Sequence, residues 1–293
     1  MPRLLIHALR GAIGSMLLIS SAAAEPQTVH FRSADGSTEI VGYLFGPTAA
    51  GAHPAVVMLH GRSGPYSSND NQSCTTVSPN TASPCNAATL SKRHMMWGRY
   101  WSDRGYLALL PDSFGPRGKA DGFGRFTHDD PDRADVNEKT VRPLDAEGAL
   151  AYLRGRKDVI GNQVFLQGWS NGGSTALNVM IRQGAQTAAA GYRGALAFYP
   201  GCGPKALLAP AISTAAPIAM FLGADDEEVS PTVCQRVAEQ SRQAGTGIDA
   251  TVYPGATHDF DYPSDSRQSV PGNQAALKDV LGKAIATVER WKN

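Results

Sequence analysis

The stretch Val164-Phe165-Leu166-Gln167-Gly168-Trp169-Ser170-Asn171-Gly172-Gly173-Ser174-Thr175-Ala176 decides how the rest of the chain is read. Val164 to Gln167 reads as a short buried strand, and Ala176 onward, A-L-N-V-M-I-R, has helical character. Between them Gly168 to Gly172 form a G-x-S-x-G, the pattern of a strand that turns sharply into a helix. Such a turn forces its central residue into a strained conformation, and the flanking glycines leave room for the adjoining strand and helix. Ser170 Oγ is then expected to project from the C-terminal edge of a sheet, above a helix N-terminus. There the Asn171 N–H and the helix dipole can stabilise a developing oxyanion. A bare G-x-S-x-G also arises by chance in glycine-rich loops; the strand before it, the helix after it and the extra Gly173 set this one apart.

Working outward, Thr28–Arg32 and Glu39–Phe45 alternate around Asp35-Gly36 and predict an antiparallel hairpin. Ala55–Leu59, A-V-V-M-L, is a continuous apolar run suited to a fully buried parallel strand. The run ends in His60-Gly61-Arg62-Ser63-Gly64, and the long polar loop that follows, to Thr89, reads as an excursion from the core. Ser91 to Arg104 reads as a helix with Met95, Met96, Tyr100 and Trp101 toward its buried side, and Tyr106–Leu110 as a strand. Residues 115–134 lack periodicity, and Asp135 to Arg154 reads as a long amphipathic helix interrupted near Pro143. Beyond the central stretch, strands are expected at Ala195–Tyr199, Ile218–Leu222 and Ile248–Tyr253. Helices are expected at Pro231–Ala244, capped by Ser230, and at Asn273–Trp291. Strands alternating with helices give the α/β class, one mostly parallel twisted sheet with helices on both faces.

Ligands of such sheets sit at the carboxyl ends of the strands. Ala55–Leu59 ends in His60-Gly61-Arg62, the central strand in Ser170, Ile218–Leu222 in Gly223-Ala224-Asp225-Asp226, and Ile248–Tyr253 in Pro254-Gly255-Ala256-Thr257-His258. A serine hydroxyl is a poor nucleophile near neutral pH. It needs a base in hydrogen-bond reach, and the base needs a carboxylate to fix its tautomer. Serine, then aspartate, then histidine is the chain order of the α/β-hydrolase sheet.

G-W-S-N-G-G at 168–173, G-A-D-D-E-E-V-S-P at 223–231 and Y-P-G-A-T-H-D-F at 253–260 resemble the dienelactone hydrolase family of α/β-hydrolases, and the likeness covers nearly the whole chain after residue 24. D-S-F-G-P-R-G at 112–118 resembles a segment of that family's exported members. The resemblance implies Ser170 as nucleophile, His258 as general base and acid, and Asp226 as the orienting carboxylate, preferred over Asp225 by its spacing from Gly223. It also implies an oxyanion hole from the backbone N–H groups of Asn171 and Arg62. Two departures stand out. Family members resembling this chain use a cysteine nucleophile where it has Ser170, and carry a glutamate where it has Gly61; dienelactone as substrate does not follow. The expected activity is hydrolysis of a small carboxylic ester or lactone through an acyl-enzyme, without a cofactor. A peptidase or acyltransferase on the same triad, or a catalytically silent exported binding protein, are the alternatives.

Other residues carry two readings each. His60 suits holding the oxyanion loop better than catalysis. Arg62 and Arg117 suit a substrate carboxylate or plain solvation. Trp169 suits packing beside the nucleophile, with substrate contact open. His94 reads as a helix-face residue, and the acidic turn His128-Asp129-Asp130-Pro131-Asp132 as a turn without a metal, although a hard cation would fit its chemistry.

Met1 to Ala24 combines a basic start (Arg3, Arg10), an apolar run from Gly11 to Ile19 and Ala22-Ala23-Ala24, the pattern of a secretory signal peptide. Residues 25–293 then form a single domain. The chain has 27 basic and 26 acidic side chains and a formal charge of +1. Without Arg3 and Arg10 nothing remains as a basic excess for nucleic acid or anionic lipid. Cys74, Cys85, Cys202 and Cys234 are an even number, as export permits; of the three connectivities, Cys74–Cys85 and Cys202–Cys234 are favoured. The spacings match no zinc pattern. Periplasmic or secreted material is therefore expected to begin at Glu25. N-terminal sequencing of the exported protein checks this, and a chain still starting at Met1 would refute it.

Overall fold

The computed structural model describes residues 25–67, 70–186 and 190–292. The expected signal peptide, 1–24, lies outside them. Eight strands form one sheet: β1 (Gln27–Arg32), β2 (Glu39–Phe45), β3 (His53–Leu59), β4 (Leu107–Asp112), β5 (Val159–Trp169), β6 (Ala195–Phe198), β7 (Ile218–Gly223) and β8 (Ile248–Tyr253). Their spatial order is β1-β2-β4-β3-β5-β6-β7-β8. The β1–β2 hairpin joins antiparallel to β4, and every later pairing is parallel. Ser33 and Asp35 make the hairpin turn: the Asp35 carboxylate accepts from the Ser37 and Thr38 N–H groups at 2.7 and 2.8 Å.

Helices α1 (Lys92–Ser102) and α6 (Pro271–Trp291) cover one face; α2 (Arg142–Arg154), α3 (Asn171–Gln183) and α4 (Pro231–Gln243) cover the other. The short α5 (Asp265–Gln268) precedes α6. On α6 the residues Ala276, Val280, Ala284 and Val288 recur every fourth position, a narrow apolar stripe that keeps one side of the helix on the sheet. The faces differ in kind. Under α2 to α4 the core is aliphatic (Val57, Leu59, Leu166, Leu177, Met220), whereas under α1 and α6 it is aromatic. There Trp97 contacts Tyr100, Trp101, Trp169 and Phe198 with ring centroids 5.0–6.2 Å apart. No helix among the described residues is long and apolar enough to cross a membrane.

Two expectations need correction. The helix expected from Asp135 begins at Arg142. Pro143 sits in its first turn, where a missing N–H costs nothing, and so starts the helix rather than interrupting it. Before it, Pro131–Val136 winds as a short 3-10 segment capped by Asp130. The polar loop after β3 is not a pure excursion, because Tyr66, Cys74, Val77 and Cys85 are buried in the aromatic core. The Cys74–Cys85 disulfide removes two thiols from solvent and fixes a short loop, which lets a Ser- and Asn-rich stretch pack. On α1, Met95 and Met96 are half-buried, while His94, Trp97 and Gly98 share the inner face with Tyr100 and Trp101. The second disulfide, Cys202–Cys234, ties the loop after β6 to α4. Both pairings are those favoured from the sequence.

Trp101 Nε1 donates to Gln167 Oε1 at 2.7 Å with both side chains fully buried, linking α1 to the strand that leads to Ser170. Trp101→Phe is therefore expected to cost about 2–4 kcal/mol of unfolding free energy, lost packing plus a stranded acceptor. Adding Gln167→Met should return part of it, since removing both partners strands neither. Urea unfolding of the two variants checks this; equal midpoints for single and double variants would contradict it.

Candidate active site

β5 sits at the centre of the sheet, and its C-terminal end runs straight into α3 through Ser170. The serine has φ 51° and ψ −117°, a conformation L-residues rarely adopt. Two close approaches enforce it. A Cβ on Gly168 would stand 2.1 Å from the Gly172 carbonyl oxygen, and one on Gly172 would stand 2.0 Å from that of Leu59. Only hydrogen fits at either position, so the strand can turn and the helix can start within one residue. The Ser170 N–H donates to Phe198 O at 2.9 Å, which anchors the turn on β6.

The loops after β7 and β8 meet there. Ser170 Oγ lies 3.0 Å from His258 Nε2, and His258 Nδ1 lies 2.8 Å from Asp226 Oδ2. A carboxylate only accepts, so Nδ1 carries the proton and Nε2 is free to accept from the serine hydroxyl. Asp226 is fixed in turn by its other oxygen, which accepts from the Glu228 and Val229 N–H groups at 2.8 and 2.9 Å. Asp225 is exposed and only its backbone is engaged, on Ala256 O. Of the two aspartates, the structure brings Asp226 to the histidine. The His258 N–H donates to Glu227 at 2.9 Å, and its ring packs on Tyr199 at 4.7 Å.

Asn171 is the first residue of α3, so its N–H has no intrahelical acceptor. The loop after β3 lies against the serine: a Cβ on Gly61 would stand 3.7 Å from Ser170 Cβ, which brings Arg62, the next residue, to the same rim. The guanidinium of Arg62 is held by Glu228 through two bonds of 3.2 and 3.0 Å and by Phe123 O at 3.1 Å. A cavity of about 180 Å³ opens over Ser170, walled by Arg62, Tyr66, Arg93, His94, His258 and Tyr262.

His60 is fully buried. Its Nδ1 donates to Gly61 O at 2.8 Å and its Nε2 accepts from the Ser113 N–H at 3.2 Å, so it props the loop in the neutral form. Burial, with Arg142 nearby, pushes its pKa well below 6.5. Two residues considered for substrate contact stand elsewhere. Arg117 makes two 2.8 Å bonds to Asp145 and reaches Asp35, which spends its guanidinium on structure. Trp169 is fully buried and its Nε1 donates to Asp261 at 2.8 Å.

The sequence reading missed four functional neighbours. Arg142 is fully buried, donates to His60 O at 2.7 Å and to Asn171 Oδ1, and so braces the two segments that flank Ser170. Burial lowers its pKa to about 10, which leaves it charged at neutral pH. Glu228 lies 3.7 Å from His258 Nε2 while clamping Arg62. Asp261, fully buried, accepts from Trp97, Trp169 and Tyr199, and Arg93 pairs with it and with Asp259. An arginine just before a proline at a helix start, and an aspartate three residues past the histidine, were the available signals. Neither has a motif of its own.

Glu228, His258 and Asp259 could bring ligand atoms within 4.8 Å of one another. Both His258 nitrogens already contact Asp226 and Ser170, and Asp259 is bonded to Arg93. In the acidic turn, Asp129 pairs with Lys205, Asp132 with Lys119, and Asp130 caps the following segment.

The profile of the dienelactone hydrolase family matches residues 91–291, from the start of α1 to the end of α6. This chain belongs to the dienelactone hydrolase family. Among solved structures, a Klebsiella pneumoniae protein assigned as a dienelactone hydrolase is 16% identical with TM-score 0.64, covering 87% of this chain and 98% of that one. The dienelactone hydrolase-like promiscuous phosphotriesterase P91, from metagenomic libraries, is 18% identical with TM-score 0.64, over 91% and 97%. A thermophilic esterase of the planctomycete Thermogutta terrifontis, solved with propionate, is 16% identical with TM-score 0.58, over 90% and 94%. At these identities the three establish the α/β-hydrolase fold. No curated protein matches the sequence.

For this dienelactone hydrolase homologue the state of His258 has a definite sign. Burial alone would depress its pKa; the Asp226 hydrogen bond and the charges of Asp259, Asp226 and Glu228 outweigh that and raise it above 6.5. Being raised on folding, this pKa adds stability that is fully present below 6.5 and fades as pH rises through the folded value. An NMR titration of the His258 ring is expected to give a midpoint above 6.5, and Asp226→Asn should move it down. A wild-type midpoint below 6.5 would contradict the balance.

Proposed function

We propose that this protein is an exported serine hydrolase that cleaves carboxylic esters or lactones through an acyl-enzyme. The observation that carries the reading is the continuous relay Ser170 Oγ, His258, Asp226, with contacts of 3.0 and 2.8 Å, at a strained strand-to-helix turn. Ser170 Oγ attacks the ester carbonyl carbon while His258 Nε2 takes its proton. The carbonyl oxygen, now an oxyanion, accepts from the Asn171 and Arg62 N–H groups, and one such donor is typically worth about 3 kcal/mol. The intermediate collapses with cleavage of the carbon–oxygen bond, and the proton on Nε2 goes to the departing alkoxide. Water then attacks the acyl-serine with His258 again as base, freeing the acid and restoring Ser170. Asp226 stays ionised and stabilises the imidazolium of both half-reactions.

Membership in the family supports ester hydrolysis. Phosphorylation of the Thermogutta esterase by paraoxon is the behaviour expected of a serine nucleophile on this fold. Export is supported by the two disulfides and by the signal-like start of the sequence. Residues 25–293 act in this reading as one catalytic domain that needs no cofactor.

Ser170→Ala is expected to lower kcat on p-nitrophenyl acetate by about 10⁴-fold or more. A fluorophosphonate probe should label the wild type once, on Ser170, and leave the variant unlabelled. Unchanged turnover in the variant, or a wild type that neither turns over nor labels, would end the proposal and favour a silent binding protein.

A further inference from the structure

Ser170 lines two separate cavities. The first, already described, holds His258 in its wall with Arg93, His94 and Tyr262. A second, narrow space of about 20 Å³, with Arg62, Asn171, Arg133, Glu138, Gly201 and Glu228 in its wall, also reaches Ser170. Phe126, His128, Gly201, Glu228 and Val229 then continue from that neck into the wall of a further cavity of about 240 Å³. Its remaining lining is Cys202, Gly203, Lys205, Ala206, Ser230 and Val233, with Cys202 held to α4 by its disulfide.

Two features beside this cavity are unusual. Phe126 and Leu207 are the exposed large apolar residues among those described, with 75% and 40% of their surface open. Phe126 lines the cavity, and Leu207 follows Ala206, which does. Both also have left-handed backbone, φ 60° and 55°, a conformation disfavoured for either residue type. Strained, solvent-facing apolar side chains around an apolar hollow are the arrangement of a binding mouth rather than of a folding core.

The proton transfers assign the two arms of a substrate. The departing alkoxide must receive the proton from His258 Nε2, so it leaves on the side whose wall contains His258. The acyl group then takes the other opening, the neck, whose wall does not include His258. Resting on the hydrolase reading above, we infer that the 240 Å³ cavity beneath Phe126 is the acyl subsite, and that the preferred substrates are esters of straight-chain, medium-length fatty acids with small, polar alcohols. The neck, at about 20 Å³, is the narrowest part of this route, so a branch beside the carbonyl is disfavoured there. Its wall carries two arginines and two glutamates, Arg62 paired with Glu228 and Arg133 beside Glu138, so it sets no net charge against an apolar chain. The polar cavity on the His258 side suits a short hydroxylated leaving group.

The test is kcat/KM on p-nitrophenyl acetate, hexanoate and pivalate for wild type, Val233→Trp and Phe126→Gly. Each methylene buried is worth roughly fourfold. Wild type is therefore expected to favour hexanoate over acetate by about tenfold or more, and to turn over pivalate poorly. Val233→Trp, which fills the cavity from α4, should lower the hexanoate-to-acetate ratio about tenfold. Phe126→Gly removes the cover together with its backbone strain and should lower the ratio severalfold. Fluorophosphonate labelling of each variant reports that the relay is assembled. A flat wild-type chain-length profile with acetate turnover intact, or a ratio unmoved in both variants, overturns the subsite and spares the hydrolase reading. Absence of all ester turnover in the wild type overturns both.

Discussion

The backbone of Ser170 is the constraint on which the site rests. A residue at φ 51°, ψ −117° persists only where its surroundings allow no alternative, and here they are the backbones of Gly172 and Leu59 at distances that exclude any side chain. That crowding lets α3 start one residue after β5 ends. It therefore sets both the outward aim of Oγ and the unsatisfied N–H of Asn171. The central place of β5, between β3 and β6, does the rest. The neighbouring strands deliver their own C-terminal loops to the same edge: His60 to Arg62 from β3, Asp226 from β7 and His258 from β8.

A layer of buried charge holds those loops in position. A lone buried ion is costly, and each of the three here has polar partners, although Nε of Arg142 and of Arg93 donates to none. Arg142 reaches His60 O and Asn171, Arg93 reaches Asp259 and Asp261, and Asp112 accepts from Tyr66 and from the N–H groups of Phe114 and Gly115. Burial raises the Asp112 pKa despite those bonds, and raises that of Tyr66 beside it. Tyr43 extends the chain by its hydroxyl contact to Tyr66 at 2.7 Å. These contacts join segments far apart in sequence, so they act as tie-bars between loops that a sheet alone would leave loosely related.

How much of this was legible follows from range. The apolar runs of β3, β5 and β7 could be read because a strand buried on both faces needs no partner information. The G-x-S-x-G could be read because its requirement is local backbone. The relay could be read because three short motifs fall at strand ends in one order. Arg117 could not be placed: its partners, Asp145 and Asp35, are 28 and 82 residues away, and nothing at 117 distinguishes a structural arginine from a substrate-facing one. Arg142 was hidden for the same reason. The helix expected from Asp135 failed because composition there suits a helix, while Pro143 has no N–H for the carbonyl four residues back and its ring crowds that carbonyl, so no helix runs through it.

The run Asp225-Asp226-Glu227-Glu228 puts four carboxylates on consecutive residues, and the fold sends each to a different destination. Asp225 faces solvent, Asp226 meets the imidazole, Glu227 takes the His258 amide and Arg267, and Glu228 takes Arg62 and Arg125. Identical chemistry is thus told apart by register alone. Drift of side-chain type along this turn is far better tolerated than a change of its length, since one inserted residue would hand every carboxylate its neighbour's appointment. Natural variation in this lineage should accordingly keep the spacing between β7 and α4 more faithfully than the letters that fill it.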